Sequence, residues 1–122
     1  MKEQVLKLLA CFGVIDAADD PLLDFAIHLV EDTIKNKINQ DAVPDGLQTV
    51  EVYRIVGQYL MLKKSSGQLE DSGFVIEQAE KSIQEGDTSV SFGEETMTAE
   101  YLINYLAGYG EDQLNRYRKL VW

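Results

Sequence analysis

Five aliphatic residues, Leu23, Ile27, Val30, Ile34 and Ile38, recur at spacings of four, three, four and four. That period admits one regular structure. A strand would send successive side chains to opposite faces, whereas a helix of 3.6 residues per turn gathers all five along one stripe. Leu22, Phe25, Ala26 and Leu29 widen the stripe, so this helix is expected to be the central and most buried one. Asp19-Asp20-Pro21 ahead of it places acid near the helix N-terminus and proline in its first turn. Asn39-Gln40-Asp41 breaks the pattern at the other end.

The flanking segments carry weaker versions of the same signal. Val5, Leu8, Leu9 and Phe12 follow the i, i+3, i+4, i+7 rule, and Gly13 is placed to close that short helix with a left-handed cap. After Val43-Pro44-Asp45-Gly46, a helix from about Leu47 to Lys64 sets Val50, Tyr53, Val56, Gly57, Leu60 and Met61 along one side. Gly57 inside it costs about 1 kcal/mol relative to Ala, which points to a close helix-helix approach or, alternatively, a kink. Helicity returns from Thr98, an expected N-cap, through Tyr101, Leu102, Tyr105 and Leu106. A last short helix runs from Glu111 to Leu120.

Between Ser65-Ser66-Gly67 and Thr98 the helical period lapses, and residues 68–97 read as a long non-helical excursion. Within it, Lys81 to Gly93 reads as a β-hairpin: Ile83, Val90 and Phe92 are its larger apolar residues, and Glu85-Gly86-Asp87 supplies the turn. An isolated hairpin is marginal in water, so this one has to pack on its own helices or on another protein. The expected fold is therefore mainly α: one domain over residues 1–122, a small bundle of about four to five helices with an inserted β-hairpin.

Chemistry is sparse. Cys11 is the only cysteine, which excludes an internal disulfide, and its helical neighbours make it a small buried filler. His28, the only histidine, lies off the apolar stripe and is expected on the solvated face. Asp16, Asp19 and Asp20 lack the alternation of a calcium loop and read as helix-starting acids. No phosphate-binding loop, nucleophile elbow or zinc-protease motif is present, so neither catalysis nor a cofactor or metal is expected. A net charge of −10 argues against a protein that grips nucleic-acid phosphates or an anionic membrane. No apolar run reaches the ~18 residues that span a bilayer. Glu3 spoils the opening as a signal peptide, and a cytosolic origin is the expectation.

Binding is better represented. Arg116, Tyr117, Arg118, Lys119 and Trp122 collect cations and aromatics at one end of an otherwise acidic chain, and these residue types are enriched at interface hot spots. The alternative reading is local: the cations complement a helix C-terminus while Tyr117 and Trp122 pack on the core. The hairpin residues Ile83, Val90 and Phe92 are the second candidate contact, since an edge strand can pair with a neighbouring chain.

Several segments together carry a resemblance. They are the short first helix ending at Gly13, Asp19-Asp20-Pro21-Leu22-Leu23, Val43-Pro44-Asp45-Gly46-Leu47, Tyr59 to Leu69, Lys81 to Val90, and Gly110 to Trp122. In these the chain resembles the head-tail connector (adaptor, or head-completion) proteins of long-tailed bacteriophages, as carried by prophages of Gram-positive bacteria. The resemblance implies a structural virion protein, made in the host cytoplasm and placed at the head-tail junction. There it forms a homo-oligomeric ring of about 12 copies beneath the portal protein, extends the DNA channel and docks a downstream neck or tail-completion protein. No sequence-specific nucleic-acid binding and no membrane contact are implied. The alternative from another class is a small acidic cytosolic regulator or DNA-mimic interaction protein. A mimic should array carboxylates with phosphate-like spacing, whereas here they are scattered and often start helices.

Overall fold

The computed structural model describes residues 2–86 and 99–118, with side chains at 85 and 86 left out. Helix α1 covers Lys2–Cys11, α2 Pro21–Ile38, α3 Gln48–Ser65, α4 Ile76–Gly86, α5 Ala99–Ala107 and α6 Glu111–Tyr117. Short 3-10 turns at Asp45–Leu47 and Glu70–Ser72 introduce α3 and α4. The bundle is mainly helical, with no strand among the described residues.

The boundary of α2 follows the sequence signals. Asp20 has extended backbone and its Oδ1 accepts from the Leu22 N–H at 3.0 Å, with Pro21 behind it in the first turn. Asn39 ends the helix in the left-handed conformation, φ 56°, and donates its N–H to the Lys35 carbonyl. Leu23, Ala26, Val30, Ile34 and Ile38 are buried. The wider stripe does not hold, because Phe25 and Leu29 are 56% and 39% exposed and only Ala26 of that set is buried.

The central element is α3, not α2. It buries Val50, Val52, Ile55, Val56, Tyr59 and Leu60, together with the polar Glu51 and Arg54, and receives α1, α2 and α5 around it. Its apolar residues are spread over so much of the circumference that periodicity understates its burial, whereas a helix with one clean stripe is by construction half exposed. Gly57 marks the tightest contact. A Cβ there would stand 2.5 Å from the Ala107 backbone nitrogen and 2.8 Å from the Leu106 carbonyl carbon. The close-approach reading of Gly57 is the one found.

Residues 68–97 are not uniformly non-helical. Lys81 to Gly86, read as the first arm and turn of a hairpin, form the end of α4. Ile76, Ala79 and Ile83 lie at spacings of three and four, the helical period, and Ala79 and Ile83 are fully buried. Grouping Ile83 with Val90 and Phe92 in a hairpin overlooked its nearer apolar neighbours upstream. Val90 and Phe92 lie outside the described residues.

The junction between α1 and α4 is backbone against backbone. Val75 donates its N–H to the Phe12 carbonyl at 2.8 Å, and Phe12 meets Phe74 edge-on with ring centroids 6.3 Å apart. Gly13 and Gly73, at φ 93° and 91°, face each other so closely that a Cβ on either would collide with the carbonyl oxygen of the other. Cys11 stands about 200° round α1 from the buried Leu9, and it is exposed instead of buried as a filler.

Gly57→Ala should lower stability even though Ala favours helix by about 1 kcal/mol. The added methyl pushes α3 off α5, an overpacking cost of about 1–3 kcal/mol. Urea unfolding of the variant is expected to show a lower midpoint at unchanged slope.

Candidate interaction surfaces

Three polar arrangements tie the helices together. Asp20 Oδ2 accepts from the Tyr59 hydroxyl at 2.8 Å and lies 2.5 Å from Lys63 Nζ, while Oδ1 caps α2. Burial pushes the Asp20 carboxyl up, but the bonds from Lys63, the Leu22 N–H and Tyr59, with the Lys63 charge, outweigh it and hold it below the usual range. The same contacts work in the opposite direction on Tyr59, whose hydroxyl is pushed up by burial and by the Asp20 carboxylate.

Arg54, 8% exposed, crosses from α3 to the turn before α6. Its Nε donates to the Tyr109 carbonyl at 2.7 Å and one terminal nitrogen to Glu111 Oε2 at 3.0 Å, and Lys37 of α2 meets the other Glu111 oxygen. Burial lowers its guanidinium from the ordinary value. In the third arrangement Glu51, 4% exposed, shares a hydrogen bond with Glu31 of α2. Burial, then the Glu31 charge, pushes the Glu51 carboxyl up to about 7, with Lys35 opposing.

These groups are consumed by each other. No buried side-chain nitrogen or oxygen among the described residues lacks a hydrogen-bond partner. Nor do three His, Cys, Asp or Glu side chains converge there to hold a metal ion. Their chemistry is that of helix-to-helix fastening. None of the described helices is long and apolar enough to cross a membrane.

Of the contact residues expected from sequence, Arg116, Tyr117 and Arg118 come together at the end of α6, all exposed. Arg116 and Arg118 form no ion pair among the described residues, so their charge faces solvent. Tyr117 does not project freely. Its ring stands over Gly46, where any side chain would collide with it, and its carbonyl accepts from Gln40 Nε2 at 2.6 Å. Tyr117 is thus tied to its own chain at Gly46 and Gln40 while staying exposed and apart from the core. Lys119 and Trp122 lie outside the described residues. Ile83 belongs to the core and is removed from the contact set.

Sequence reasoning missed the outer face of α2, where Phe25 and Leu29 stand exposed between Asp24, His28 and Asp32. A signal was available: those apolar residues exceeded what a single stripe can bury. Comparison with known protein families, curated proteins and solved structures found no match.

Glu51→Gln tests the carboxyl pair. A folded-state pKa of about 7 against an ordinary 4.5 means that the folded chain binds the proton first as pH falls. The native carboxyl therefore destabilises the fold fully above pH 7 and progressively less down to 4.5. The Gln variant should melt higher than the parent at pH 8, by on the order of 2 kcal/mol, and equal it near pH 4.5. By contrast, Asp20→Ala should cost about 2 kcal/mol or more at neutral pH, since it removes a helix cap and strands Tyr59 and Lys63. That loss fades as pH falls through the depressed Asp20 pKa.

Proposed function

We propose that this chain is a structural protein of the head-tail junction in a long-tailed bacteriophage, acting by assembly and not by catalysis. Copies close into a ring beneath the portal, extend the DNA channel and present a docking surface to the next neck or tail component. Charge segregation carries the reading. Three of the eleven cations and no acid fall in Arg116–Trp122, while eight cations face 21 acids in the rest. Arg116 and Arg118 are held out toward solvent at the end of a helix fastened to the body. A ring needs two different patches on each copy, one meeting the other on its neighbour, and an acidic body with a basic tail supplies such a pair. The sequence resemblance set out above points the same way. In this reading the segment carrying Val90 and Phe92, expected as hairpin, serves contacts between subunits or with the portal.

The regulator reading is less well supported by the use of the acids. Asp20 caps α2 and binds Tyr59 and Lys63, Glu111 holds Arg54 and Lys37, and Asp24 pairs with Lys2. Carboxylates so engaged make a poor imitation of a phosphate backbone.

Inactivating the gene in its phage should leave DNA-filled heads and separate tails in electron micrographs. Joined, infectious particles would overturn the proposal. The purified chain should show no retardation of duplex DNA at physiological salt, because its acidic body repels phosphate. Salt-sensitive micromolar binding in a gel-shift assay would contradict both the channel role and the electrostatic argument.

A further inference from the structure

The outer face of α2 is an apolar surface with acidic neighbours. Phe25 and Leu29, one turn apart, are exposed, and Asp24 and Asp32 are exposed beside them on the same helix. Behind Leu29 a groove of about 150 Å³ opens between α2, α3 and α5, with Thr33, Arg54, Gln58 and Ala107 among its walls. That volume lies well below the ~300 Å³ where small-molecule sites begin and suits one large side chain. The Arg54 charge in its wall is already engaged by Glu111 and backbone carbonyls, and Asp24 is shared with Lys2 of α1, which leaves Asp32 as the main charge on the rim.

We propose that this face receives the Arg118–Trp122 segment of a second copy of the chain, with Trp122 in the groove beside Leu29 and Arg118 and Lys119 against Asp24 and Asp32. The segment has the matching chemistry: Arg118-Lys119-Leu120-Val121-Trp122 is cationic first and apolar after, with no acid. Geometry puts the far half of this face beyond the reach of a chain's own tail. Along the helix, Phe25 lies about 20 Å and Leu29 about 13 Å back from Ile38. The Tyr117 carbonyl is held by Gln40 beyond that end. Four Cα steps from Arg118 to Trp122 span at most ~14 Å, which reaches as far as Leu29 but not Phe25, and Arg118 itself stays at the wrong end of α2 to meet Asp24, so only a second copy can engage the whole face. The contact is heterologous, since tail and groove are different patches, and it can propagate into a ring or an open chain. It rests on the assembly reading above for its biological setting, but not for its test.

Trp122 is the only tryptophan, and its emission reports its surroundings directly. In the full chain, the emission maximum should move to shorter wavelength as concentration rises, in step with oligomer formation by sedimentation velocity. A Phe25→Gln, Leu29→Gln double variant and a Trp122→Ala variant should each stay monomeric, with far-UV circular dichroism unchanged. Mixed in equal amounts they should form dimers and stop there, because only one tail and one groove remain between them. Asp32→Lys, which leaves the apolar face intact, should weaken association about tenfold, a loss of about 1.4 kcal/mol. A blue-shifted maximum at the lowest concentration, showing Trp122 packed on its own chain, would overturn the proposal. So would a wild-type chain that stays monomeric, or one whose association survives the groove variant. Loss of this contact with phage assembly intact would count against the α2 site alone, whereas a working contact in a chain dispensable for phage assembly would count against the connector reading alone.

Discussion

The structure depends on how closely α5 can approach α3. Gly57 removes the one side chain that would separate them, and the Ala107 nitrogen and Leu106 carbonyl then lie against the α3 backbone. With that gap closed, Leu102, Ile103 and Leu106 reach the same interior as Val56 and Leu60, and all are buried. The turn after α5 is thereby set beside Arg54, which binds the Tyr109 carbonyl. A helix that begins in that turn inherits its position from the contact. A helix-interior glycine is unfavourable locally, and its presence here is repaid in dispersion contacts that no larger residue would permit.

Polar groups fix the arrangement that apolar packing alone would leave loose. Hydrophobic burial is non-directional, whereas the fork of Arg54, the cap of Asp20 and the Tyr59 hydroxyl each have one satisfactory geometry. Arg54 joins α3 to the start of α6, and Lys37 brings α2 to the same carboxylate. Asp20 joins the start of α2 to the end of α3 through Tyr59 and Lys63. Removing one member strands the others in a poorly solvated place, which is why such groups cost more to lose than the net worth of their bonds. Glu51 is the exception: its partner Glu31 carries the same charge, and the pair is relieved only by taking up a proton.

How legible the fold was varied with the physics involved. The limits of α2 were readable because cap chemistry is local: Asp20, Pro21 and Asn39 act within a turn of themselves. The choice of central helix was not, because α3 becomes buried through three partners that its own sequence does not name. α4 was obscured by Ser82 and Glu85-Gly86, which mimic turn chemistry, although Ile76, Ala79 and Ile83 kept the helical spacing. Cys11 misled because its neighbours Leu8 and Leu9 are apolar, although about 200° of helix separates it from the buried Leu9. For the contact residues, sequence placed Arg116 and Arg118 together but left Tyr117 open between an interface and the core, since nothing nearby announced that Gly46 would lie beneath its ring.

The charge pattern bears directly on the exposed apolar residues of α2. An acidic body repels copies of itself, which disfavours indiscriminate association through Phe25 and Leu29. A segment can approach that face with net attraction only if it carries compensating cations, and Arg116–Trp122 is where the chain concentrates cations without acids. In the proposed contact the apolar surface would supply affinity, and the surrounding carboxylates would decide which segment is admitted to it. In the proposed contact the patch and the segment lie at different places on the same chain, so filling one would leave the other open and association could continue beyond a pair.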